Sequence, residues 1–241
     1  MRSINYKHSL KILKDLYVQY MIWMFWALAV LLTGVLISLP FSEFFRTMQH
    51  SALAAITRPA EVFLFIVGII TGVYIIQYYI RQGVTRRSFF VGTVAAALAT
   101  AVSIQLIGVG LHITALLLEA ITPFQAGRAL TGYLGQVHSF PVTIGISTLI
   151  LSLQFLLGWA IGFAFYRFRT IGGFICILYT LLTMTAINSI WTEGGIVTIN
   201  GANLIPAINL PLGVAVSLTL GIVALQLTVL YRMIRNAPVK V

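Results

Sequence analysis

The sequence predicts an all-α integral membrane protein: one transmembrane domain over residues 1–241, with six transmembrane helices preceded by an N-terminal amphipathic interfacial helix. Three observations predict it. Hydrophobic residues make up 59% of the 241 and charged residues only 8%, with a mean hydropathy of +0.99. A soluble domain is about a quarter charged and just under half apolar, and so few charges cannot cover a soluble globule of this size. Second, six apolar runs reach the roughly 20 residues needed to cross a hydrocarbon core about 30 Å thick. Third, the basic residues alternate in density between one set of connections and the other.

The elements follow in order. In residues 1–20, Tyr6, Leu10, Leu13 and Tyr17 recur at helical spacing on one face while Lys7, Lys11 and Lys14 share another. That pattern describes a helix lying in the membrane interface. The spans are Met21 to Leu39, Val62 to Ile80, Phe89 to Leu118, Val142 to Phe165, Ile171 to Ile190 and Leu212 to Tyr231, and no Asp, Glu, Lys or Arg falls inside them. The first is too long for a signal-peptide core and lacks a small-x-small cleavage site, so it reads as a retained span. The third exceeds the bilayer and must tilt, bend or project. Two connections are short, Arg81 to Ser88 and Tyr166 to Thr170. Three are longer: Pro40 to Glu61, Glu119 to Pro141, and Trp191 to Pro211. The last is rich in Gly, Asn and Pro yet moderately apolar, and is expected to dip back into the interface as short half-helices.

Orientation follows from the charges. With both termini cytoplasmic, the inner side holds Arg2, Lys7, Lys11, Lys14, Arg81, Arg86, Arg87, Arg167, Arg169, Arg232, Arg235 and Lys240. The outer side keeps only Arg46, Arg58 and Arg128, with Glu43, Glu61, Glu119 and Glu193. This is the positive-inside pattern of a multi-pass cell-membrane protein. The net charge of +10 is then topology plus attraction to anionic lipid of the bilayer, and calls for no nucleic acid.

Chemistry is sparse. No glycine loop carries a phosphate-binding lysine, since no Lys occurs between Lys14 and Lys240; any ATP and Mg belong to a partner subunit. The isolated histidines form no zinc motif, and the lone Cys176 allows no intrachain disulfide. Ser147, in the small-residue stretch GIST, is the nearest match to an intramembrane nucleophile, with His138 the histidine to test beside it. Such stretches serve helix packing. The chain is therefore expected to hold no catalytic residue, cofactor or metal of its own. Gln77, His112 and Asn188 are the polar groups a substrate path would use. Gln105, Gln154 and Gln226 read with them as amides that join helices, and Trp23, Trp26, Trp159 and Trp191 as belt or packing residues.

One constellation stands out: RQGVTRRSFFVG, Arg81 to Gly92. Gly83 breaks or caps a helix, Arg86 and Arg87 follow, and Phe89 and Phe90 begin the next apolar run. The pattern G-V-x-R-R-x-F-F-x-G, carried by Gly83, Val84, Arg86, Arg87, Phe89, Phe90 and Gly92, is similar to that of ABC-2 (type V exporter) permease subunits of ABC transporters. So is the layout: a leading amphipathic helix, six spans with both ends inside, and a long outer connection between the last two spans. The resemblance implies that Lys7 to Tyr17 and Gln82 to Ser88 seat on cytoplasmic ABC ATPase subunits. Lys7, Lys11, Lys14, Arg81, Gln82, Gly83, Arg86 and Arg87 are the docking residues. It also implies a second permease chain, identical or a sister, and half-helices within Trp191 to Pro211.

The expected function is the permease subunit of an ATP-driven exporter, its route lined mainly by spans two and five. So uncharged a lining suits an amphipathic or hydrophobic cargo: a peptide, an antimicrobial or a lipid-like molecule. The alternative is a membrane substrate-binding subunit of a small-molecule importer that docks on a separate energising module. A hydrolase is the third reading and lacks a nucleophile–base pair.

Overall fold

The computed structural model describes residues 6–38, 52–121, 139–191, 197–199, 202–205, 208 and 210–235. They are predominantly helical. Helix α1 is Tyr6–Ser38, α2 is Ala52–Ile70, a π-helical turn spans Thr71–Ile75, and α3 is Ile76–Arg81. Helix α4 is Arg86–Ile121, α5 is Phe140–Trp191 and α6 is Leu212–Arg235. The stretches 56–81, 86–114, 140–191 and 212–235 are each long and apolar enough to cross a membrane. The chain is thus a membrane protein by the length and composition of its helices.

Helix α1 corrects the first expectation. It is one 33-residue helix, so the lysine-bearing segment and the first apolar run are continuous, with no separate interfacial helix. Its packed face also differs from the predicted stripe. Ile12, Leu16, Tyr20 and Met24 are buried, whereas Leu10 is 68% exposed. The sequence holds both stripes; tertiary contact chooses between them. At the crossing with α4, a Cβ on Gly92 would lie 2.9 Å from the Ile12 Cβ and from the Ser9 carbonyl. The absence of a side chain there admits α1, and the Tyr17 hydroxyl reaches Ser103 Oγ at 2.8 Å further along.

Helix α2 starts about ten residues before the predicted span and includes Arg58, Pro59 and Glu61. Those residues read as loop in the sequence, Pro59 most of all. The helix persists because Thr57, Ala60, Leu64 and Val67 recur at helical spacing and are all buried, so burial outweighs the local signal. The π turn then widens the helix around Thr71. Thr71 Oγ1 donates to the Val67 carbonyl at 2.7 Å. Its one proton is thereby used, and the Tyr20 hydroxyl, 2.9 Å away, is the donor of the pair.

Helix α5 joins the fourth and fifth apolar runs in one continuous assignment, but Arg169 breaks it with φ 58° and ψ −148°. Ile150 and Ile187 share one buried cluster, whereas a straight helix would hold them about 55 Å apart. The chain therefore folds back at Arg169, and its limbs of about 43 Å and 32 Å lie side by side. Arg169 occupies a region that glycine adopts without strain. Gln226 of α6 ties the limbs together: its amide donates to the Leu156 carbonyl at 3.2 Å and accepts from the Tyr179 hydroxyl at 2.8 Å.

The segment after α5 corrects another expectation. Val197–Ile199 and Ala202–Ile205 form an antiparallel pair, β1 and β2, with Val197 opposite Ile205 and Ile199 opposite Ala202. These residues are strands, not half-helices. The signal lay in the sequence: Asn200-Gly201, the dipeptide most favoured between hairpin strands, separates a β-branched run from a second apolar one.

The centre is a crossing of α2 on the first limb of α5. Gly68 and Gly72 (GIITG) face Gly158 and Gly162 (GWAIG). A Cβ on Gly158 would overlap the Phe65 carbonyl, one on Gly162 the Ile69 carbonyl, and one on Gly68 the Phe155 carbonyl. Two small-xxx-small faces therefore pack backbone to backbone, as helices do where lipid supplies no hydrophobic drive.

The turn between α3 and α4 is built from its own residues. Gly83 has φ 79°; its N–H donates to the Ile80 carbonyl at 3.0 Å and that of Val84 to the Tyr79 carbonyl at 3.1 Å. This pair of bonds is a Schellman cap. Thr85 then caps α4, its Oγ1 accepting the Ser88 N–H at 3.2 Å. Gly83→Ala is expected to cost about 1–2 kcal/mol for the left-handed backbone, read as a lowered Tm, and Gly83→Asn less. Equal Tm for all three proteins would refute the assignment.

Candidate functional site

Two regions gather the polar groups that the fold leaves over. The first lies at the Arg81 end. A cleft of about 760 Å³ between α1 and α3 is lined by Lys11, Asp15, Gln19, Trp23, Tyr78 and Gln82, among others. Lys11 and Gln82 therefore line the same cleft. Lys14, Arg81 and Arg87 are exposed nearby in sequence. Lys7 lies in α1, its side chain outside the described residues.

The basic turn divides by residue. Arg86 Nη1 donates to the Arg235 carbonyl at 3.2 Å, and Arg167 Nη1 to the Met233 carbonyl at 2.7 Å. Both satisfy carbonyls at the C-terminus of α6, where the helix dipole favours cations. Phe89 and Phe90 pack on Trp159, with ring centroids 6.0 Å and 5.7 Å away, and Gly92 admits α1. Most of the motif is thus consumed by the fold. Arg87 is exposed and none of its contacts is an ion pair or hydrogen bond among the described residues. It occupies the first turn of α4, where the dipole opposes a cation, so helix stability does not account for it.

The second region is a groove of about 360 Å³ between α2 and both limbs of α5. Glu61 and Phe65 line it from α2, Gln154 and Ile161 from the first limb, and Thr180, Met184 and Asn188 from the second. Glu61 Oε1, Gln154 Oε1 and Thr180 Oγ1 are buried with no hydrogen-bond partner among the described residues. The Arg58 guanidinium is 3.9 Å from Glu61 Oε2, and its side chain is 51% exposed, a geometry that contributes little. Thr180 shares this unpartnered state with Thr93 and Ser147 among the described buried helical hydroxyls, and of the three it is Thr180 that lines the groove. Thr100, Thr148, Thr183 and Thr219 each donate to the carbonyl four residues back, and Thr180 does not. Three polar atoms left unsatisfied around one cavity in apolar helices are costly unless something binds there.

The predicted substrate-path residues separate. Asn188 lines the groove. Gln77 instead donates to the Val73 carbonyl at 2.7 Å, satisfying a backbone group at the π turn, and His112 is buried beside Phe140, 6.2 Å between ring centroids. Neither lines the groove. Ser147 is buried, and His138 lies outside the described residues. Gln105 reaches Thr57 Oγ1 at 3.5 Å, an amide joining α4 to α2. Trp159 and Trp191 are buried, Trp191 donating to Thr219 Oγ1 at 3.1 Å, while Trp26 is exposed.

Sequence reasoning did not select Glu61 or Thr180. Glu61 is the acid that abuts the second apolar run, a signal masked by Pro59. Nothing in the sequence distinguishes Thr180 from its neighbouring threonines. Comparison with protein-family models, with curated proteins and with solved structures returns no match to this chain.

Proposed function

We propose that the chain is the permease subunit of an ATP-driven exporter, with an ATPase subunit seated at the Arg81 end and cargo moving along the groove between α2 and α5. The carrying observation is the cleft that brings Lys11 and Gln82 together. The ABC-2 resemblance assigns those two segments, far apart in sequence, to one docking surface. Arg87 supports the same reading as an exposed cation with no hydrogen bond or ion pair among the described residues. The groove supports the route, since it lies where the second and fifth spans of such a permease face the cargo.

In this reading there are six spans, α1, α2 with α3, α4, the two limbs of α5, and α6, with both termini cytoplasmic and the basic end inside. A second permease chain closes the open side of the groove. ATP binding on the partner pulls the cleft, and the glycine crossing carries that movement to the groove. Transport then follows only if the cargo binds the two arrangements unequally.

The test is purification of the full chain in mild detergent, with cysteines placed at Lys11 and Gln82 in a Cys176→Ser background for crosslinking. An ATPase carrying a phosphate-binding loop is expected to co-purify and to crosslink from both positions but not from Leu106, an exposed residue of α4. A chain that runs alone after crosslinking overturns the reading. Ligand-induced thermal shifts would then test the importer alternative, which needs a closed pocket for a small polar molecule.

A further inference from the structure

We infer that the groove between α2 and α5 is a binding site for the ammonium group of a cationic amphiphile. The transport reading adds only that this ligand is cargo. The three unpartnered atoms are oxygens. The Gln154 amide oxygen can only accept hydrogen bonds, the Glu61 carboxyl is acceptor-only when ionised, and the Thr180 hydroxyl accepts or donates. Among the described residues no Lys or Arg lines the groove, and Arg58 is half in solvent, beyond hydrogen-bonding distance of Glu61. The site therefore offers acceptors, and negative charge when Glu61 is ionised, in a weakly polar setting where a charge-assisted N–H···O bond is strong. An anionic headgroup would meet the Glu61 carboxylate, which the half-exposed Arg58 at 3.9 Å offsets only weakly.

The walls supply the rest of the specificity. Phe65, Ile161 and Met184 give the groove an apolar lining suited to an alkyl or aromatic body. Its volume of about 360 Å³ falls within the range of small-molecule sites, far above the roughly 30 Å³ share of one water. Gly158 meets Phe65 and Gly162 meets Ile69, so α2 and the first limb run parallel there, and Glu61 and Gln154, each four residues before Phe65 and Gly158, stand at about the same level.

The experiment uses the full chain in nanodiscs of zwitterionic lipid, with empty nanodiscs subtracted. The probes are octyl chains bearing a dansyl fluorophore at one end and an ammonium, a sulfate or a hydroxyl group at the other. Saturable binding is expected for the ammonium probe, at least tenfold tighter than for the other two. Glu61→Gln is expected to remove most of that preference while leaving the hydroxyl probe unchanged, and Thr180→Val to weaken ammonium binding a few-fold. If Glu61→Gln fails to fold, Thr180→Val and displacement by unlabelled octylammonium carry the test. Equal or tighter binding of the sulfate or hydroxyl probe overturns the ligand class alone. Absence of saturable binding by any probe overturns the site and removes support for the groove as a route. Ammonium binding by a chain that captures no ATPase leaves this inference standing and sinks the exporter.

Discussion

Gly158→Ala is expected to destabilise the protein by about 3 kcal/mol, the upper end of the cost of overpacking, and Gly158→Leu to abolish the native state. The added Cβ would overlap the Phe65 carbonyl, part of a helical backbone that cannot rotate away as a side chain can. Gly162→Ala should behave alike, since its obstacle is the Ile69 carbonyl. Gly110 and Gly145 provide the control: nothing lies within 4 Å of a Cβ built on either, so alanine there should be neutral or slightly stabilising through helix propensity. The lone cysteine is a built-in reporter. Cys176 is half-buried and packs against the main buried cluster, so its reaction with a thiol-specific fluorophore during heating reads the Tm directly. A Gly158→Ala protein that melts with Gly145→Ala would show that the crossing is not backbone to backbone.

In the proposed exporter, charge reversal at Arg87 is expected to reduce stimulation of the docked ATPase about tenfold, equivalent to about 1.4 kcal/mol of coupling, with Tm unchanged. Lys11→Glu should act in the same direction from the other side of the cleft. Arg86 is the contrasting position: Arg86→Glu loses the bond to the Arg235 carbonyl and sets an anion against the carbonyl end of α6, so it should lower Tm. Raising ionic strength should mimic Arg87→Glu, because exposed charges are screened over about 10 Å at 0.1 M salt. Topology must be measured in the same variants, since moving a positive charge can alter insertion. Undiminished ATPase stimulation by correctly inserted Arg87→Glu would reduce the basic turn to a topology signal.

Residues whose conformation depends on their neighbours along the chain are legible in the sequence. Gly83 is the clearest: a glycine between an apolar helix and a polar turn announces a positive φ, and the cap forms from that helix's own carbonyls. The short connection at residues 166–170 is legible for a similar reason, as the place where apolar periodicity lapses. Asn200-Gly201 is equally local, but the apolar residues around it suggest a membrane-dipping helix instead. GIITG and GWAIG are visible as small-xxx-small patterns within apolar runs. That they pack on each other is not visible, because spacing identifies a close-packing face without naming its partner.

Composition and hydropathy by themselves determined that this is a membrane protein, because apolar surface on this scale has no soluble solution. They also determined where its helices run, to within a few residues at most ends. Tertiary structure alone decided which stripe of α1 is buried, and that helix α2 continues through Pro59. It likewise decided that Arg86 closes α6 while Arg87 makes no hydrogen bond or ion pair among the described residues, and that Glu61, Gln154 and Thr180 line one groove. Each of those outcomes depends on what a residue meets far along the chain from itself. In helices apolar on nearly every face, hydrophobicity does not choose a side, so shape and unpaired hydrogen bonds make the choice.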